Sequence, residues 1–161
     1  MGTWEQESGL SAYAIARSAA IDDVAAAWPT HVLDPSSPEW DDEDGGNTFR
    51  DGVRGKTWRE LPDPFLRYHH SMMTFLGPAA FGDVLPAWLV CALGDGSNVQ
   101  DSLLWRLRPS TGERSFHERF DTLTAAQRTA IRHVLEALAL RYAGKPSEAE
   151  VRQLFETEWS K

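Results

Sequence analysis

A chain of 161 residues that is 42% apolar and 25% charged suits one domain able to bury its own core, and it lies far from the composition of disordered chains. Its single cysteine, Cys91, excludes an internal disulfide and a multi-cysteine zinc site, and its place in an apolar run points to a space-filling thiol in a reducing cytoplasm. The net charge of −8 is unevenly spread, with ten acids against one Arg in residues 1–49 and fourteen acids against fifteen bases in residues 50–161, and no basic block exists to displace counterions from nucleic acid.

Residues 1–9 lack the basic start and apolar stretch of a signal peptide and read as a flexible N-terminus. Residues 10–28 set Leu10, Tyr13, Ala14, Ile21, Val24, Ala25 and Trp28 at the spacing of one helical face, until Pro29 ends the pattern. From Thr30 to Lys56 periodicity vanishes among prolines and glycines. A long acidic loop is expected there, and loops of that length tend to be functional or disordered.

The helical core is expected over residues 57–161. Trp58 and Leu61 share one side of a turn. Asp63 and Pro64 open a helix to about Thr74 that carries Phe65, Leu66, His69 and Met73. Pro78 opens another, which Pro86 is expected to kink or restart. The run VLPAWLVCAL at 84–93 has ten residues, against the ~20 needed to cross a bilayer, and reads as a buried helix. Asn98–Leu107 reads as helix through Val99, Leu103 and Leu107, although Leu103-Leu104-Trp105 also permits a short strand. Thr124-Ala125-Ala126-Gln127 is a capping box, followed by a face of Ile131, Val134, Leu135, Leu138 and Tyr142 and a stop at Gly144 and Pro146. Ser147 to Glu150 repeats the capping signature before a last helix with Val151, Leu154 and Phe155 inward. The expected fold is all-α: one compact domain of about six to seven helices.

WREL at 58–61, FLGPAAFGDVLPA at 75–87, and FDTLTAAQRTAI with VLEAL further on resemble a family of small bacterial proteins known only as a domain of unknown function. The resemblance covers roughly residues 55–140. It implies a bacterial, intracellular helical protein and carries no catalytic residue with it. The chain departs from the family's pattern at Asp83-Val84-Leu85, where a tyrosine pair is common.

Chemistry-bearing constellations are sparse. His69 and His70 are adjacent, and neighbours on a helix diverge by about 100°, so the pair is not expected to grip one ion. His133 and Glu136 share a helix face at i and i+3, a ligand geometry of di-metal bundles, but those need a second such pair. The turn Gly94-Asp95-Gly96-Ser97-Asn98 lacks the nucleophile elbow pattern, and no glycine-rich phosphate fingerprint occurs. No metal or cofactor is expected. The acidic stretch EWDDEDGGN at 39–47 fails as a calcium loop in both registers: Gly45 at the sixth position puts Trp40 first, and Gly46 there puts Gly45 fifth and Gly52 twelfth.

Seven tryptophans are an excess. Trp28, Trp58, Trp88 and Trp105 lie on apolar faces and are expected in the core, whereas Trp4, Trp40 and Trp159 sit in polar surroundings and are expected at the surface. An exposed tryptophan beside acids is a feature of protein-binding surfaces. Trp40, Asp41, Asp42, Glu43 and Asp44 are therefore the candidate contact residues for a basic protein partner. The expectation is a non-enzymatic acidic binding domain, most concretely an immunity-type protein that masks a toxin. The alternatives are a metal-dependent helical enzyme using His133 and Glu136, and a structural subunit of a larger assembly.

Overall fold

The computed structural model describes residues 3–41, 48–94, 97–109 and 114–159, and these form an all-α chain with no strand among the described residues. In chain order the helices are α1 (Thr3–Ala27), α2 (Thr48–Val53), α3 (Asp63–Tyr68), α4 (Met72–Phe75), α5 (Pro78–Ala92), α6 (Ser97–Arg106), α7 (Arg114–Phe120), α8 (Ala125–Arg141) and α9 (Pro146–Leu154). Single 3-10 turns stand at Pro38–Trp40 and Trp58–Glu60, and a π-helical turn, Phe155–Trp159, continues α9. The helices gather into two units, Met1–Trp28 with Thr124–Lys161, and Pro29–Leu123.

The first unit pairs the two longest helices. Thr124 caps α8: its Oγ1 accepts from the Gln127 amide at 3.1 Å, while the Gln127 side chain accepts from the Thr124 amide at 3.0 Å. Ile131, Val134, Leu135 and Leu138 are then fully buried, each worth roughly 1.5–3 kcal/mol relative to exposure. The helices run antiparallel, because Arg141 meets the Tyr13 hydroxyl, His133 meets Asp23, and Gln127 meets the Ala27 carbonyl in reverse order. Gly144, at φ +77°, follows α8 before Pro146 starts α9, where Val151 and Leu154 turn inward.

The second unit is built around α5, against which α3, α6, α7 and both 3-10 turns pack. Its buried set, Phe81, Val84, Leu85, Trp88, Leu89 and Ala92, covers most of the helix circumference, as a central helix requires. Buried Arg119 on α7 donates to the carbonyls of Thr74 (3.1 Å) and Leu76 (2.7 Å), so its charge satisfies the backbone where α4 ends. Gly52 is needed on α2 for close approach: a Cβ there would stand 2.3 Å from Cε2 of Phe65.

Several expectations change. Helix α1 begins at Thr3, so most of the segment expected as a flexible N-terminus is helical. The 30–56 segment holds a 3-10 turn and α2, whose Phe49 and Val53 are buried at i and i+4; six residues are too few to display a helical period. Helix α5 continues through Pro86 without restarting. The helix expected from Asp63 to Thr74 breaks after Tyr68 and resumes as α4. Asn98–Leu107 resolves to helix, not strand. Ser147 does not cap α9, which starts one residue earlier at Pro146, while Glu148 accepts from the Gly144 amide at 2.8 Å. Helix α7 is an element with no counterpart among the sequence expectations; Phe116 and Phe120 at i and i+4 were its available signal.

Candidate functional site

The acidic stretch starts from a fixed root. Glu39 accepts at its backbone carbonyl from Gly77 (2.8 Å), and its Oε1 accepts from the Ala79 amide (3.3 Å), which places a carboxylate at the free amides and positive end of α5. Asp41 is exposed and forms an ion pair with Arg50, whose Nη2 also donates to the Ser37 carbonyl at 2.9 Å. Asp42, Glu43 and Asp44 lie outside the described residues.

Trp40 lies between Glu39 and Asp41 and corrects the sequence expectation. It is 3% exposed. Its ring stacks on Phe49 (centroids 6.3 Å apart, planes at 22°), and Phe49 stacks in turn on Phe65 (5.5 Å, 12°) and Trp88 (5.9 Å, 8°). A tryptophan among carboxylates is therefore an anchor into the protein's own core, not one offered to a partner. The reason is that the chain must re-enter the core on both sides of the acids, and large aromatic rings supply that burial. Trp40 and Phe49 thereby clasp the two ends of the acidic segment.

The tryptophans sort differently from their sequence neighbourhoods. Trp28, Trp58 and Trp88 are buried as expected, but so is Trp159, with the Arg128 guanidinium 5.0 Å from its ring centroid. Trp105, expected in the core, is 68% exposed. Helix α6 buries Val99, Leu103, Leu104 and Leu107, which satisfies its inward face and leaves Trp105 on the outward one. Tyr68, on α3, is 78% exposed. Helices α3 and α4 both pack on α6, and the Asn98 side chain donates to the Arg67 carbonyl at 3.0 Å. His70 Nδ1 lies 2.6 Å from Ser102 Oγ, so the face of α6 that carries Asn98, Ser102 and Trp105 looks along residues 67–75. Phe75, at the end of α4, is also exposed. Three exposed aromatic side chains, Tyr68, Phe75 and Trp105, thus stand on α3, α4 and α6.

The other chemistry-bearing groups are engaged structurally. His133 Nδ1 lies 2.5 Å from Asp23 Oδ2, tying α8 to α1 rather than turning to Glu136. Among the described residues no three His, Cys, Asp or Glu side chains gather as a metal site. Cys91 is buried, and that burial, reinforced by the nearby Asp63 carboxylate, pushes its thiol up to about 11, away from the thiolate that nucleophilic chemistry needs. A shallow, open groove at the end of α7 is lined by His117, Glu118, Asp121 and Thr122, with His117 and Asp121 3.3 Å apart. No helix among the described residues is long and apolar enough to cross a membrane.

Residues 37–159 match the Family of unknown function (DUF6714), and the chain belongs to that family. The expected membership of a family of unknown function holds, and the match reaches beyond residues 55–140 to include Trp40, the acidic segment and α9. No curated protein and no solved structure matches the chain.

Proposed function

We propose that this member of the family is a non-enzymatic binding protein for a basic protein partner, acting in a bacterial cytoplasm, with an immunity protein that masks a toxin as the concrete case. The observation that carries the reading is the segregation of charge: residues 1–49 have a net charge of −9, whereas the remaining 112 residues are close to neutral at +1. Six of the acids in residues 1–49, from Asp34 to Asp44, belong to the second unit, and such a concentration attracts a cationic surface at long range and speeds encounter more than it tightens the final complex. The clasp of Trp40 and Phe49 supports the reading, since it anchors both ends of the segment that carries Asp41 to Asp44 within the second unit. A nuclease toxin has a cationic substrate cleft, which is the kind of surface that an acidic protein covers by charge.

Immobilised protein exposed to native-cell lysate at low salt tests the proposal. A stoichiometric basic protein, released as the salt rises past ~0.5 M, is the expected capture. Retention only of neutral or acidic chains, or of partners indifferent to salt, would refute it.

A further inference from the structure

The exposure of Trp105 on α6 is not accounted for by the packing of that helix. Leu103 and Leu107 already close the inward side of α6, and burial normally claims a ring as large as that of Trp105. Asn98, Asp101 and Trp105 fall on one helical face, at successive steps of three and four residues, and Asn98 and Asp101 are exposed there. A flat indole with a carboxylate one turn away is a receptor for a planar cation: guanidinium stacks on the ring and the carboxylate takes its charge. Arg106 ends the helix and Arg108 follows just beyond it, so charge is acidic on the side of Trp105 toward the start of α6 and basic on the other. A docked segment would therefore place its arginine toward Asp101.

We infer that the Asp101–Trp105 face of α6 is the docking site for an arginine-bearing segment of the basic partner, with Trp105 as the stacking platform and Asp101 as the counter-charge. The inference deepens the binding proposal and rests on it; the acidic segment steers and this face holds.

An octa-arginine peptide serves as probe, read by the indole N–H resonances of isotope-labelled full-length protein. Trp105→Phe assigns the Trp105 signal by its disappearance. The expected result is a saturable shift of that resonance, larger than octa-lysine produces at equal concentration, and an apparent affinity lowered about threefold in Asp101→Asn. Trp105 and Asp101 are exposed, so both variants keep the dispersed spectrum of the folded chain. If the peptide moves resonances near Asp41 but leaves Trp105 still, the inference fails while the acidic-binding proposal survives. If nothing moves, both fail. If the Trp105 resonance shifts with protein concentration in the absence of peptide, a second copy of the chain is the occupant and the inference is overturned.

Discussion

Replacing Trp40 by alanine tests the clasp against the intuition that a tryptophan among acids serves the surface. Trp40 is 3% exposed and stacks on Phe49, which carries the contact onward to Phe65 and Trp88. A buried tryptophan removes about 150–250 Å² from water, worth about 4–6 kcal/mol at ~25 cal/mol per Å². Extended-chain areas overstate the gain, and truncations of this type in cores cost about 3–5 kcal/mol. Trp105→Ala is the control. With 68% of that residue already in water, less than a third of the same area is lost, for a cost of about 1–2 kcal/mol at most. In urea unfolding, Trp40→Ala should lower the midpoint by roughly 1–3 M and Trp105→Ala by less than about 1 M. Equal losses for the two variants, or a larger loss at Trp105, would refute the assignment of core and surface.

Gly52→Ala places a methyl against the Phe65 ring, where the Cβ would stand 2.3 Å from Cε2, and should cost about 1–3 kcal/mol in the same assay. Thr124→Ala removes the hydroxyl that receives the Gln127 amide and should cost about 1 kcal/mol, read as a lowered Tm. Asp83 supplies a pH test. Burial raises its carboxyl above the usual 3.8, opposed by His31 at 3.6 Å and aided by Glu39. The folded state therefore holds that proton more tightly than the unfolded chain, and the resulting stability is complete below 3.8 and lost as pH rises through the raised value. Asp83→Asn should accordingly raise Tm relative to wild type at pH 7, with the advantage shrinking toward acid; an advantage constant with pH would contradict the burial argument.

The legible parts of this fold were those with redundant local signals. The α8 cap was readable because threonine and glutamine satisfy two amides reciprocally and a regular apolar face follows. The antiparallel pairing of α1 with α8 was not, since its ties, such as His133 with Asp23, join residues about a hundred positions apart. The tryptophans show the same limit. Polarity of the neighbours placed Trp40 outside and Trp105 inside, but exposure is set by which face of an element meets the core. On α6 three leucines and Val99 had already claimed that face. On the 3-10 turn at Pro38–Trp40, three residues give no period from which a face can be read. Pro86 does not restart the helix, for a different reason. Its ring and missing amide break an isolated helix, yet α5 lies buried among several partners whose packing outweighs one lost hydrogen bond.

The most direct test of the central claim is the association rate with the captured basic partner across a range of salt. The informative variant carries Asp42→Asn, Glu43→Gln and Asp44→Asn and keeps Asp41, whose pairing with Arg50 belongs to the fold. Wild-type association should slow steeply as salt rises; the variant should start about tenfold slower at low salt and respond far less. An unchanged rate with an unchanged salt dependence would contradict the account.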